Sequence, residues 1–548
     1  MKKIFLLLFI LAVIATIFIL GFIQSLGVSD PAKLVPASTV IFASTPDLFR
    51  TALRWPNTSL AKISQEPDVK EFLQKPFSTL GSSRDGQDAG SKIFELKPRR
   101  IFVALTELLP ERTSALLGFQ FLGNRKNAGE ALELIRRKIS HDAVISSRTS
   151  ASYNGDSVES VVYRDITIYS AIHGHWGFIS NHLSTLQEAL DRAAGKNRIS
   201  SLSQSADYLK VIAHLPPNPD LQIFINSQSA LEALLAMGAR MGNIPDPIQV
   251  QQAHKWGSIG ISSKLDGENL RDSMAIIILT DFPLPPPLKH VAMKFTHSST
   301  LGYLEMSKVP YGVLGLPLFA SRFLAQTHLS FETLNRISGS EAALFFTWPT
   351  TNFRPPTLLV AEIQKQAEAI NWLHQAGFKK LLPNLKFPKT AFYQTELPQY
   401  PILAPTFAFH ENLLLAGMTA FDVEETLSQA GSSETLEHSS SFAPALTRYN
   451  SQNILFSFLN AKQLFERAYA MLRPVIIFST ALSPDILQVI DTSKLPSTTS
   501  ISKHLHPIVS TQQLQGNMMV FDSIGPITLD QALLAFFFAK MGMSPSQQ

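Results

Sequence analysis

Leu221-Gln222-Ile223-Phe224-Ile225-Asn226, followed by Leu231 and Leu234, decides how this chain is read, because the pattern occurs twice. It returns as Ile454-Leu455-Phe456-Ser457-Phe458-Leu459-Asn460, followed by Leu464 and Tyr469. Each copy is an apolar run of strand length that ends on Asn and passes into helical spacing. An Asn at that junction accepts from the orphan amides of the helix it opens. Working outward, the flanking patterns repeat as well. Ser299-Thr300-Leu301-Gly302-Tyr303-Leu304 matches Ser38-Thr39-Val40-Ile41-Phe42-Ala43, and Ala342–Thr347 matches Ile101–Leu105. Thr357–Ala361 matches Ala115–Phe119, the helix Ile363–Gln375 matches Asn127–Ile139, and Leu413–Ala416 matches Trp176–Ser180. The period of about 240 residues is far too long for a solenoid. The expected fold class is therefore α+β: an N-terminal transmembrane helix, then two tandem, duplicated modules, each a mainly antiparallel sheet with helices on one face.

The turn chemistry agrees with a meander inside each copy. Asn154-Gly155 is a two-residue hairpin signal, since both residues tolerate positive φ. Asp266-Gly267 and Gly516-Asn517 mark the closing hairpins, and Gly195 and Gly431 end helices. Thr45-Pro46-Asp47 reads as a helix start, with Thr45 as the cap. Phe282-Pro283-Leu284-Pro285-Pro286-Pro287-Leu288 favours stiff polyproline geometry and reads as a linker. The expected boundaries are 1–27 for a signal-anchor, 34–281 for the first module, 282–290 for the Pro-rich linker and 291–548 for the second module.

Lys2-Lys3 precede twenty uncharged residues, Ile4–Ile23. As a helix at ~1.5 Å per residue this run matches a hydrocarbon core of ~30 Å. The two lysines predict a cytoplasmic N-terminus and a bulk on the far side. The expected placement is thus single-pass in an inner membrane, held through residues 4–23, with the rest periplasmic or extracellular. Cleavage after Ser25-Leu26-Gly27 is the competing reading; the length of the apolar run favours an uncleaved anchor.

Composition narrows the function classes. There are 0 cysteines, which removes disulfides, thiolate metal sites and cysteine nucleophiles together. A net charge of +4 over 548 residues, without a basic run, argues against nucleic acid. Phe at 37 against Trp at 5 and Tyr at 10 fits ordinary cores better than stacking platforms for bases.

Individual motifs carry little chemistry. His173-Gly174-His175 with His182 offers imidazoles, but Gly174 sits where a hairpin turn belongs, which puts the first two on neighbouring strands, and the three or four converging ligands of a metal site are not evident. His504-Leu505-His506 has no adjacent carboxylate in sequence. Ser59-x-x-Lys62 and Ser500-x-x-Lys503 have the serine–lysine spacing of penicillin-recognising enzymes, yet the partner motifs are missing and Lys389-Thr390 is followed by Ala391. Asp85 and Asp88 lack calcium-loop spacing. Leu529–Met541 reads as a strongly apolar closing helix or a docking helix. No catalytic, cofactor-binding or metal residue is expected from these patterns, and no cofactor.

Leu34-Val35-Pro36-Ala37-Ser38-Thr39-Val40, the strand Leu221–Ile225 with its Asn226-led helix, and the tandem arrangement resemble a family of exported, membrane-anchored bacterial proteins of uncharacterised function. The resemblance covers Leu34–Leu279 and extends to the second half. It implies extracytoplasmic α+β modules behind one membrane segment and brings no catalytic residues. The functional expectation is a non-enzymatic binding or scaffold protein of a bacterial envelope, with a cleft between modules taking a protein or lipid. An envelope hydrolase with a dispersed site and a lipid carrier are the alternatives.

Overall fold

The computed structural model describes residues 28, 30–80, 97–109, 112–140, 144–164, 166–196, 200–240, 242, 247–279, 285–308, 336–349, 355–396, 404–482, 491–528 and 531. In chain order the elements begin with β1 (Ile41–Thr45), α1 (Leu48–Arg54), α2 (Ser59–Gln65) and α3 (Pro67–Leu80). Then come β2 (Pro98–Leu108), β3 (Thr113–Phe121), α4 (Arg125–Ile139), β4 (Ile145–Tyr153), β5 (Asp156–Tyr163), β6 (Ile166–His173), β7 (Trp176–Ser180) and α5 (Leu183–Ala193). They continue with α6 (Ala206–Ala213), β8 (Leu221–Ile225), α7 (Ser227–Arg240), α8 (Pro247–Ala253), β9 (Trp256–Asp266) and β10 (Asn269–Ile278). The second half holds β11 (Gly302–Ser307), β12 (Ser338–Phe346), β13 (Thr357–Ile363), α9 (Gln366–Gln375), β14 (Lys379–Lys380), β15 (Ala391–Gln394), β16 (Thr406–His410), β17 (Leu413–Gly417) and α10 (Ala420–Gln429). It closes with β18 (Asn453–Leu459), α11 (Ala461–Leu482), α12 (Thr498–Ser502), β19 (Ile508–Gln515) and β20 (Met518–Gly525).

These elements fall in two compact units that are not consecutive stretches of chain. The first takes residues up to Trp55, those from Gly81 to Leu265, and Met274–Leu279. The second takes Pro56–Leu80, Asp266–Ser273 and the chain from Thr280 onward.

In the first unit the strands lie in the order β4-β5-β6-β7-β3-β2-β1-β8-β9, each antiparallel to its neighbour. In the second the order is β14-β15-β16-β17-β13-β12-β11-β18-β19-β20, again antiparallel throughout. Shifting the nine labels by ten reproduces the second order as far as β19, and β10, which pairs with β9, is the counterpart of β20. The register agrees: Ile41 faces Leu105 and Ile225, as Gly302 faces Phe346 and Leu459. Phe42 and Tyr303 are therefore equivalent positions.

Two expectations are corrected here. The first is the N-terminal transmembrane signal-anchor, together with the single-pass inner-membrane placement built on it. Among the described residues no helix is long and apolar enough to cross a membrane. The 22-residue α11 carries Lys462, Glu466, Arg467 and Arg473 and an internal Pro474. Ile4–Ile23 lie outside the described residues, as do the apolar stretch Leu529–Met541 apart from Gln531, the Asp85–Asp88 loop and the first part of the Pro-rich linker. The second correction concerns the layers: helices cover both faces of each sheet, not one. In the first unit α4 packs Ala128, Ala131 and Leu132 on Phe119, Phe121, Ile168 and Ile179. Phe102, Gly118 and Phe178 stand in register on the opposite face, where α6 brings Tyr208 to Phe42 and α5 brings Thr185 to Ser114. All five residues of β7 are buried as a result. The second unit repeats this. α9 packs Trp372 and Leu373 on Phe407, Phe409 and Leu414. α10 packs Val423 and Leu427 on the face of Val360, Leu415 and Phe456. A strand covered on both sides needs a continuous apolar run, and Leu413-Leu414-Leu415 supplies one.

Local signals place the helices. Asn226 accepts from Ser229 N at 3.2 Å and Asn460 from Gln463 N at 3.2 Å, so both junction asparagines cap their helices. The start of α1 lies two residues later than the Thr45 reading, because Asp47 accepts from Arg50 N at 3.0 Å and serves as the cap. The closing segment of the Pro-rich linker docks on the second unit, burying Leu288 in its core beside Met293 and Phe295.

Candidate functional site

The cleft described here lies within the second unit, at the start of α11. Asn460 fixes that start: its own amide donates to Leu301 O at 2.7 Å, and its side chain caps the helix. The first turns then present Lys462, Gln463 and Glu466 to a cleft of about 370 Å³. Ser440, Ser441 and Pro444 form a second wall, and Leu505, His506 and Pro507 a third. The volume lies in the range of small-molecule sites, and the lining mixes polar groups with apolar surface. Lys462 and Glu466 stand one helical turn apart with opposite charge, and among the described residues neither is in an ion pair. The amides of the first turn of α11 add partial positive charge near Lys462.

The third wall is held from behind by distant parts of the chain. His506 Nε2 bonds Asn269 Oδ1 at 2.5 Å, and burial pushes this imidazole below its ordinary pKa, with Glu268 opposing. It is a neutral, fixed wall at neutral pH. His504 Nε2 bonds Glu66 Oε1 at 2.7 Å, and Lys503 Nζ bonds Glu66 Oε2 at 2.9 Å. The bond from His504, then that from Lys503, holds the Glu66 carboxyl below the usual carboxylate range. Asp68 accepts from Ser500 Oγ at 2.6 Å and from Ser497 N at 2.8 Å, which pins α12.

Three of the motifs singled out in sequence thus meet in one region, in roles the motifs did not predict. The carboxylate missing beside His504 arrives from Glu66, 438 positions away. Both lysines of the serine–lysine pairs are taken by carboxylates: Lys503 by Glu66, and Lys62 by Glu268 at 2.5 Å. Ser59 Oγ is buried without a hydrogen-bond partner, and Ser500 Oγ donates to Asp68. Neither serine is activated by its lysine. In the first unit Gly174 adopts φ +54 at the hairpin tip. His173 Nδ1 bonds Asp156 at 2.7 Å, His175 Nδ1 bonds Phe121 O at 3.1 Å, and His182 stands ahead of α5. Among the described residues no group of three or more His, Cys, Asp or Glu is arranged to hold a metal.

Sequence reading missed Lys462, Gln463, Glu466, Ser440 and Ser441. The available signal was an i,i+4 pair of opposite charges just after a capping Asn. The first unit shows what the cleft position otherwise holds. Gln228 occupies the place of Lys462 two residues past the capping Asn, and its Nε2 donates to Trp256 O at 2.8 Å.

No protein-family model matches this chain, and no curated protein matches it. Among solved structures, crystal form III of TP0453 aligns at 8% identity and TM-score 0.27, covering 46% of this chain and 81% of that chain. Crystal form I of TP0453 aligns at 10% and 0.25 (46% and 80%), and crystal form IV at 9% and 0.26 (45% and 80%). Likenesses this slight carry no argument about fold or function.

Proposed function

We propose that this is a non-catalytic binding protein whose ligand seats in the cleft of the second unit. The observation that carries this reading is the pairing of Lys462 and Glu466, opposite charges one turn apart on the cleft wall and unspent on each other. A small zwitterion fits such a wall: its carboxylate meets Lys462 and the first turn of α11, and its amine meets Glu466. Leu505, Pro444 and Pro507 give an apolar substituent a place to lie. Amino acids and short peptides are the ligand class with this chemistry. Binding of this kind needs no nucleophile, in keeping with serines whose neighbouring lysines are already neutralised.

Isothermal titration of the full chain with free amino acids and dipeptides tests the reading. Saturable heat is expected for zwitterions, with little for the matched amine or carboxylate alone. Lys462→Glu should weaken binding at least tenfold, equivalent to about 1.4 kcal/mol. Equal binding of the wild type and Lys462→Glu, or hydrolysis of the dipeptides, would reject it.

A further inference from the structure

We infer that the second unit contains a buried proton-binding site, formed where the segment Leu288–Val291 docks across β11 and β12 and encloses Glu305 with Glu341. The geometry is that of two carboxylates sharing too few positive partners. Glu305 is 0% exposed and Glu341 3%. Glu305 stands opposite Ala343, and Glu341 opposite Ser307, so the two lie diagonally on one face of adjacent strands. Glu341 Oε1 accepts from Val291 N at 2.6 Å and its other oxygen accepts from Lys289 N. No side-chain cation bonds it among the described residues, because Lys289 Nζ turns to Glu362 at 2.9 Å. Glu305 Oε2 bonds His290 Nδ1 at 2.7 Å, and no cation reaches its Oε1 among the described residues. The hydroxyls of Tyr303 and Tyr449 are buried close to Glu305 and to each other; burial, then the Glu305 carboxylate, pushes both phenols up, and the Tyr449 ring lies 4.0 Å from the His290 ring.

The groups around the pair are thus Lys289 and His290 from the docked segment and Glu362 from β13 on the Glu341 side, and Tyr303 from β11 with Tyr449 on the Glu305 side. Two carboxylates and one imidazole in a dry site cannot all hold full charge cheaply, and a proton relieves the excess. Burial, reinforced by Glu305, raises the Glu341 carboxyl above its ordinary value despite its two amide donors. The sign follows. A carboxyl raised in the folded state takes its proton preferentially there, so docking of Leu288–Val291 tightens as pH falls through that raised value. The first unit is the internal control. Ser44 faces Phe102 as Glu305 faces Ala343, and two residues back along the strand stands Arg100 where the second unit has Glu341. That unit has no carboxylate pair to protonate at this position.

An infrared titration of the full chain, following the protonated-carboxyl stretch, tests this. Wild type should show one carboxyl protonating at higher pH than the bulk of the Asp and Glu side chains. That step should vanish in Glu341→Gln and move to lower pH in Glu305→Gln, which removes the neighbouring charge. Should Glu341→Gln fail to fold, Glu305→Gln decides alone. A wild-type titration without the high-pH step, a step that survives Glu341→Gln, or one unmoved by Glu305→Gln would overturn the inference.

Discussion

At Gly118 the space for a side chain is already filled, since a Cβ there would overlap the ring of Phe102. Phe102 is fully buried and packs against Trp176 at 5.8 Å, so the ring has little room to yield. Gly118→Ala should therefore destabilise the chain by about 1–3 kcal/mol, measured as a lowered denaturation midpoint. At Asn460 the effect is different in kind. Asn460→Ala removes the acceptor for Gln463 N and should cost about 1 kcal/mol, while Asn460→Asp keeps an acceptor and most of the stability. Asp522 sets part of the acid response. Burial opposes its charge, but bonds from Arg271, Ser273 and Arg448 outweigh burial and hold its carboxyl below the ordinary range. Its contribution is complete above the unfolded-state value of about 3.9 and is lost as pH falls toward the lower folded value. Asp522→Asn should lose stability at neutral pH and show a flatter decline in acid-unfolding curves.

At the scale of elements, the duplicated strand-to-helix joint was readable because its signals are local. Alternation names the strand, and Asn226 and Asn460 name the helix starts. The coverage of both sheet faces was also written in the sequence, in the runs Trp176–Ile179 and Leu413–Leu415, which carry no polar residue, but alternation elsewhere drew attention away from it. α9 and α10 show how differently two surface helices are used. Trp372 on α9 is 8% exposed and belongs to the core, whereas Phe421 on α10 is 71% exposed. Trp372→Ala should cost about 3–5 kcal/mol. Phe421→Ala should stay within about 0.5 kcal/mol, both read by chemical denaturation. The membership of α2 and α3 in the second unit had no local signal at all. Glu66 meets His504 across 438 positions, and only the assembled fold brings a carboxylate to that imidazole.

For the whole molecule, two units share one strand order yet differ in what their equivalent positions do. Gln228 in the first is tied to backbone, and Lys462 in the second is left on a cleft wall. The two sheets follow one plan, and the charged residues that distinguish the second are those a pattern search passes over, since strand alternation and helix caps survive without them. The most direct measurement is hydrogen exchange along the full chain, with and without a saturating mixture of the common amino acids. The account predicts slowed exchange confined to the three cleft walls, around Ser440–Pro444, Asn460–Glu466 and Leu505–Pro507, and its loss in Lys462→Glu. Unchanged exchange throughout, or protection that falls on other parts of the chain, would contradict it.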